Sequence, residues 1–124
     1  MITSELAVIT INHNHEESIK KMIDSLFAST KEVTIKVFLI NNVPDLKTKN
    51  WLAKEFPDIK VVENLKPKGF AENINQVIRQ YPTYDYYLLL NPDVICLPGM
   101  IEKLIAVMEN DKRIGAAGPK LLNF

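Results

Sequence analysis

Asn91 and Asp93 are the residues of this 124-residue sequence with the clearest capacity for chemistry. They follow the apolar run 88–90, which is typical of a buried strand, and Pro92 between them marks a turn. In open α/β folds, ligands bind at the carboxyl ends of the strands, and carboxylate oxygens are the ligands that hard cations prefer. The sequence is therefore compatible with an ordinary turn and with a turn that holds a divalent cation beside a phosphate.

Further polar residues follow the other predicted strands. The first strand runs into the two asparagines and two histidines of residues 12–15, the second into Asn41 and Asn42, and the third into Asn64 and the lysine-containing loop 66–69. Because the carboxyl ends of parallel strands share one edge of a sheet, we expect these groups to converge on one crevice that binds a polar ligand. Taken singly, each would more often be a local turn residue or a solvated surface group.

The glycines narrow the class of ligand. The chain has only four, and the first of them is Gly69. A dinucleotide-binding fingerprint or a Walker-type loop needs several glycines directly after a strand, so that the backbone can approach the phosphates. Neither pattern is present, so bound phosphates would be neutralised by a cation and by side chains. This again points to Asp93.

Alternating hydrophobic periods predict the elements that position these groups. Strands are predicted at 6–11, 33–40, 59–62 and 84–90, and a fifth is expected to begin within 114–118. Helices are predicted from inward-facing apolar stripes, which comprise Ile19, Met22, Ile23 and Leu26; Leu46, Trp51, Leu52 and Phe56; Phe70, Ile74, Val77 and Ile78; and Ile101, Leu104, Ile105 and Met108. The alternation predicts an α/β fold, a three-layer α/β/α sandwich with a mostly parallel sheet, as one unit over residues 1–124.

Local sequence signals indicate where two of the helices begin. The predicted sheet has one incomplete edge. Asp45 is suited to cap the second helix, and Pro98 is suited to the start of the fourth. The incomplete sheet edge near the C-terminus could pair with another chain, which allows a homo-oligomer.

The overall composition bears on partners and location. Fifteen basic and fifteen acidic residues cancel, which argues against nucleic acid or an anionic membrane as the main partner. The single cysteine, Cys96, cannot form an internal disulfide and is expected to act as a small buried hydrophobe. Neither a signal peptide nor a run of about 18 apolar residues is present. We therefore expect a cytoplasmic protein.

Together these motifs resemble the donor-binding half of family 2 glycosyltransferases, which have the nucleotide-diphospho-sugar transferase (GT-A) fold. The likeness is strongest to bacterial rhamnosyl- and galactosyl-type transferases of cell-surface polysaccharide synthesis, and its order and spacing extend over nearly the whole chain. The matching segments are residues 8–14, the pair Asn41 and Asn42, Gly69 to Ala71 with Asn75, residues 86–94 and residues 115–121.

The resemblance implies roles for individual residues. Thr10 and Asn12 would line the nucleotide pocket, Asn41 with its neighbour Asn42 would face the base or ribose, and Gly69 would allow close backbone approach. In the same way, Asn75 would lie near the donor, and Asp93, assisted by Asn91, would hold a Mg²⁺ or Mn²⁺ that bridges the donor diphosphate.

The resemblance also implies an activity: metal-assisted transfer of a sugar from a nucleotide-diphosphate sugar to a saccharide or lipid-linked acceptor. The expected location is then the cytoplasm, including the inner face of the membrane. Three positions depart from the family pattern, because Asn41 replaces an Asp, Val43 with Pro44 replaces a Ser or Thr, and His13 stands where an aromatic residue is frequent. The Asn41 change should weaken hydrogen bonding to the base or ribose.

In the family, the acceptor site and the carboxylate base lie downstream of the metal motif. We therefore assign no catalytic residue and expect this chain to be a truncated, donor-binding portion that acts with a missing C-terminal part of the same polypeptide. The alternative is a catalytically silent module for nucleotide-sugar binding or for interaction.

Overall fold

The computed structural model describes residues 5–43 and 46–123. Strands and helices alternate in the order β1 (Glu5–Asn12), α1 (Glu16–Ser29), β2 (Thr34–Asn41), α2 (Leu46–Glu55), β3 (Lys60–Glu63), α3 (Phe70–Gln80), β4 (Tyr86–Leu89) and α4 (Met100–Asn110). This confirms the predicted α/β class. The expected cap Asp45 and the neighbouring Pro44 lie outside the described residues.

The sheet is parallel, with the strand order β3-β2-β1-β4. The chain moves outward from β1 through β2 to β3 and then crosses to the other side of β1 for β4. The order therefore reverses between β1 and β4, and the crevice at such a reversal is where open α/β sheets bind ligands.

Side chains alternate between the two faces of the sheet, and both faces are covered by helices. On the first face, which we call the α1 face, residues of β1 and β2 pack against α1 and α4, in the cluster Leu6, Val8, Leu26, Val37, Ile101 and Ile105. Leu52 of α2 joins Leu39 and α1 on the same face. On the opposite face, the α3 face, the cluster is Ala7, Ile9, Phe38, Ile40, Ile74 and Val77. The predicted three-layer arrangement is therefore confirmed.

Cys96 lies in the core on the α1 face with 5% of its surface exposed, as expected for a small buried hydrophobe. Burial raises the pKa of its thiol, although a hydrogen bond with Ser25 acts in the opposite direction. None of the helices in the described part of the chain has the length and apolar character needed to span a bilayer.

The predicted fifth strand is wrong: the described residues 114–118 form no strand. Gly115, Ala116, Ala117 and Gly118 are exposed. Glycine and alanine have low β-propensity, and in the described structure β4 pairs only with β1, so this segment has no ladder partner.

Three details of the helices also differ from the prediction. Leu46 and Phe70, which were predicted to face inward, are 70% and 60% exposed, and each is the first residue of its helix. Helix α4 begins at Met100, two residues after Pro98. The reason is Gly99, which caps the helix with a φ of 83° and so interrupts the helical geometry.

Candidate functional site

A cleft of about 240 Å³ opens at the carboxyl ends of β1 and β4, on the α3 face. Its apolar lining consists of Ile9, Ile11, Phe70, Ile74, Leu90 and Pro92. Its polar lining consists of His13, His15, Asn42, Lys68, Asn73 and Asn91. An apolar floor with a few polar groups at a strand-order reversal is the usual form of a small-ligand site in an α/β sheet.

A cluster of side-chain amides supports one wall of the cleft; we call it the Asn42 network, and its members are Asn42, Asn64, Lys68, Asn73 and Gln76. The Asn42 Oδ1 accepts hydrogen bonds from the Lys68 backbone N–H at 2.8 Å, from Asn64 Nδ2 at 2.9 Å and from Asn73 Nδ2 at 3.2 Å. Asn42, Asn64 and Asn73 are 6%, 3% and 1% exposed. Buried amides that satisfy one another in this way hold their backbones rigidly.

The same network fixes the loop between β3 and α3. The Lys68 carbonyl accepts from Asn42 Nδ2 and from Asn73 Nδ2, both at 3.2 Å. The Lys68 Nζ donates to the Gln76 Oε1 at 3.1 Å, and the Gln76 amide in turn donates to Asn64 and Asn73. Both the backbone and the ammonium group of Lys68 are therefore held at the cleft.

A second group of polar residues, which we call the Asn12 row, lies on the α1 face and consists of Asn12, Asn41 and Glu63. The three are in register across β1, β2 and β3. Asn12 Nδ2 donates to Asn41 Oδ1 at 3.1 Å, and Asn41 Nδ2 donates to the Glu63 carboxylate at 3.2 and 3.3 Å. The Asn12 Oδ1 accepts from the His15 backbone N–H at 2.9 Å and so closes the turn into α1.

Two of the residues expected to bind nucleotide line the cleft, and three lie behind it. Asn42 and Asn91 are part of its lining. Asn12 and Asn41 are 2% and 1% exposed and belong to the Asn12 row on the other face of the sheet. Thr10 is 1% exposed on that same face, and its buried Oγ1 has no hydrogen-bond partner in the described structure.

Gly69 and Asn75 occupy opposite positions on the first turns of α3. Gly69 precedes the helix with a φ of −72°, and an added Cβ would meet nothing within 4 Å, so the space beside it is open. Asn75 is exposed and points away from the cleft side that Asn73 and Ile74 occupy. Gly69 therefore lies between Lys68 and Phe70, which line the cleft, and Asn75 lies on the exposed side of the helix.

The two expected metal ligands, Asn91 and Asp93, line neighbouring cavities. Asn91 lines the cleft, whereas Asp93 is exposed in a larger groove of about 780 Å³ beside α4, and Leu90 lines both. The described residues contain no group of three or more His, Cys, Asp or Glu that could hold a metal. Mg²⁺ commonly takes one or two carboxylates together with substrate phosphates and water. The single carboxylate of Asp93 is therefore enough for an ion that takes its other ligands from phosphates and water.

Asn73 and Gln76 were missed by the sequence reasoning. Asn73 stands three residues after Phe70 and next to Ile74, so it falls within the inward-facing stripe of α3. A buried amide in an apolar stripe requires partners. That pattern, next to strand ends rich in asparagine, is the signal that could have identified the network.

The comparisons with known proteins concern the family and the fold. The family model described as Glycosyl transferase family 2 matches residues 7–121. An N-acetylglucosaminyl-diphospho-decaprenol L-rhamnosyltransferase from Mycobacterium tuberculosis is 23% identical over 128 residues, which cover 95% of this chain and 41% of that protein. The chain thus spans less than half the length of the curated relative that it matches.

Solved structures show the same fold. The mannosyltransferase PcManGT from Pyrobaculum calidifontis, in complex with GDP-Man and Mn²⁺, superposes with a TM-score of 0.72 at 15% identity, over 87% of this chain and 33% of that chain. S. aureus TarS in complex with UDP gives a TM-score of 0.71 at 17% identity, over 86% of this chain and 32% of that chain. The predicted GT-A fold is confirmed by these likenesses.

Proposed function

The chain belongs to glycosyl transferase family 2, and we propose that it forms the donor-binding portion of a glycosyltransferase. The observation that carries this proposal is the cleft at the strand-order reversal, where an apolar floor is bordered by His13, Lys68 and Asn91. Such a lining suits a nucleoside diphosphate, since a base or sugar ring packs on apolar side chains and the phosphates need cations and N–H donors.

The proposed reaction is transfer of a sugar from a nucleotide-diphosphate sugar to a saccharide or lipid-linked acceptor, as in polysaccharide synthesis. Support comes from similar structures that contain GDP-Man with Mn²⁺, UDP or UDP-GlcNAc. The name of the Mycobacterium tuberculosis relative includes a diphospho-decaprenol, which supports a lipid-linked acceptor. We propose a cytoplasmic location for this reaction, at the inner face of the membrane when the acceptor is lipid-linked.

Each predicted binding residue has a part in this proposal. Asn42 and Asn91 face the donor, and Gly69 lets it approach the start of α3 through the open space at that position. Asn12 and Asn41 act from behind, because their buried hydrogen bonds fix the backbone on which His13 and Asn42 stand. Thr10 shares that buried face, and a contact between its hydroxyl and the donor stays a prediction. A contact between Asn75 and the donor stays a prediction.

Asp93 and Asn91 are the residues that would hold a Mg²⁺ or Mn²⁺ together with the donor phosphates. When bound, such an ion stabilises the negative charge that develops on the leaving nucleoside diphosphate. The chain's own contribution is the exposed carboxylate of Asp93 and the amide of Asn91, both after β4, and the Asn91 amide lines the cleft together with Lys68.

A binding module that is inactive by itself is the second candidate, and the cleft lining favours it for this chain alone. Transfer with inversion needs a carboxylate base within hydrogen-bond reach of the acceptor hydroxyl. No Asp or Glu is present among the described residues that line the cleft. We propose that the base and the acceptor site belong to a further part of a longer polypeptide.

Isothermal titration calorimetry tests the donor site. UDP, GDP and dTDP are titrated into the chain with and without Mn²⁺, and at least one of them should bind more tightly with the ion. Asp93→Ala should remove this metal-dependent gain, whereas Asp24→Ala, which removes an exposed carboxylate from α1, should retain it. Absence of binding by all three nucleotides under both conditions would overturn the proposed function.

A further inference from the structure

We propose that Lys68, His13 and His15 form an anion subsite that contacts the diphosphate of the donor directly and keeps affinity for a diphosphate when no metal ion is bound. The identity of the ligand rests on the proposed function, whereas the subsite itself is argued from charge, hydrogen bonds and position in this chain. It lies in the cleft, whereas Asp93 lines the neighbouring groove, and Leu90 lines both cavities.

The described lining of the cleft is basic. Acidic and basic residues are equal in number over the whole chain, yet the cleft is lined by one lysine and two histidines with no carboxylate among the described residues. Lys68 takes part in none of the ion pairs within residues 5–43 and 46–123, and its ammonium has the neutral partner Gln76. A cation without a counter-charge beside N–H donors attracts an anion.

Lys68 is held in place before any ligand binds. Its backbone N–H and carbonyl are both bonded to Asn42, and its Nζ is bonded to Gln76. Asn42 and Asn73 are buried, so these restraints belong to the core of the protein. An ordered cation loses less conformational freedom on binding than a free surface lysine does.

Hydrogen bonds determine which ring nitrogen of each histidine carries the proton in the neutral imidazole. The Lys68 backbone N–H donates to the Asn42 Oδ1, which fixes the orientation of that amide and directs its Nδ2 toward His13 Nδ1 at 3.4 Å. His15 Nδ1 accepts the His13 backbone N–H at 3.2 Å. Both Nδ1 atoms are therefore acceptors, so each neutral imidazole carries its proton on Nε2 and offers it as a donor.

The chain itself makes the experiment direct, because it contains only two histidines and both line the cleft. Inorganic pyrophosphate is titrated in EDTA, and the imidazole C–H signals are followed by proton NMR. We expect both signals to shift with one saturating curve. Signals that stay unchanged at saturating pyrophosphate would overturn the subsite.

Lys68→Met is compared with Lys66→Met, which removes the same charge from an exposed position of the same loop that does not line the cleft. Lys68→Met should weaken pyrophosphate binding by at least about tenfold, the change expected when a charge-assisted hydrogen bond is lost. Lys66→Met should stay close to the wild type. Equal affinities for the two variants would overturn the role of Lys68, and the histidine signals of the wild-type protein decide the matter if Lys68→Met does not fold.

The same titrations separate this inference from the proposed function. Pyrophosphate binding in EDTA without any binding of UDP, GDP or dTDP supports the subsite and overturns the donor site. Nucleotide binding that requires Mn²⁺ and vanishes in EDTA, together with no pyrophosphate binding, overturns the subsite and leaves the donor site supported.

Discussion

The Asn42 network and the Asn12 row use the same residue type at nearly the same place, yet they lie in opposite surroundings. Asn12 and Asn41 end neighbouring strands, and Asn42 and Asn64 continue the ladder by one residue, with backbone bonds of 3.0 and 3.1 Å. One step along a strand turns the side chain to the other face. Asn41 therefore points to the α1 face and Asn42 to the α3 face and the cleft.

The ends of the two groups differ as well. The Asn12 row ends at the Glu63 carboxylate, and its amides are satisfied by one another. The Asn42 network ends at the Lys68 ammonium, which borders a cleft. An asparagine at a strand end is therefore positioned for binding only when its side chain points to the face of the sheet on which the cleft opens.

The largest effect should come from Asn42→Ala. It removes the acceptor of three hydrogen bonds and leaves the buried Asn64 and Asn73 amides each short of a partner. We expect the free energy of unfolding to fall by about 2–4 kcal/mol, since each unsatisfied buried polar group costs about 1–3 kcal/mol. Urea unfolding measures the loss, with the exposed Asn75→Ala on α3 as control. Similar stabilities of the two variants would remove the distinction between the network and an ordinary surface amide.

A smaller effect is expected from Asn41→Asp in the Asn12 row. The variant carboxylate would replace an amide that now donates to Glu63 at 3.2 Å, so two negative charges would face each other at the sheet edge. Because Glu63 is exposed, water screens the repulsion, and we expect a loss of about 1 kcal/mol in stability. Adding Glu63→Gln should recover most of it, since the Gln amide can donate to the Asp. A double variant as unstable as Asn41→Asp alone would contradict the hydrogen bond between these residues.

The smallest effect on stability is expected from Tyr86→Phe. This contact on the solvent-exposed surface serves as a reference for both groups. Hydrogen bonds from Lys112 and then from Tyr86 hold the pKa of the Glu109 carboxyl below its ordinary value of 4.5, and the same contact with Glu109 raises the pKa of Tyr86 to about 12. A lowered carboxyl pKa contributes stability that is present above the ordinary value and is lost as the pH falls through the lowered one. Tyr86→Phe should therefore be slightly less stable than the wild type at neutral pH, and the difference should vanish in acid. NMR titration of Glu109 checks this, and an unchanged Glu109 pKa in the variant would contradict it.

The fold could be predicted from the sequence because hydrophobic period and burial coincide in most of its elements. The stripe Ile19, Met22, Ile23 and Leu26 is buried as predicted, and all four predicted strands before residue 114 are present. The fifth strand failed because strand formation depends on a partner at the outer edge of β4, which the sequence of residues 114–118 does not encode.

The site could be predicted only in part. Clustering at one sheet edge follows from parallel strands, so Asn42, Lys68 and Asn91 were expected to converge and do so. Whether Asn12 or Asn42 faces the cleft depends on the face of the sheet on which the cleft opens. The packing of the helices determines that face. Asn73 was not predicted as a site residue because a position in an apolar stripe indicates a core residue. Its hydrogen-bond partners there are amides.

Binding of the donor nucleotide in the cleft is tested most directly by one ¹⁵N–¹H NMR titration with UDP or GDP in the presence of Mg²⁺, in which the side-chain amide signals of both groups are followed. If the donor binds in the cleft, we expect large shifts for the NH₂ groups of Asn42 and Asn91, which line it. We expect small shifts for those of Asn12 and Asn41, which are buried on the other face. Large shifts of the Asn12 and Asn41 amides with unchanged Asn42 and Asn91 amides would contradict it.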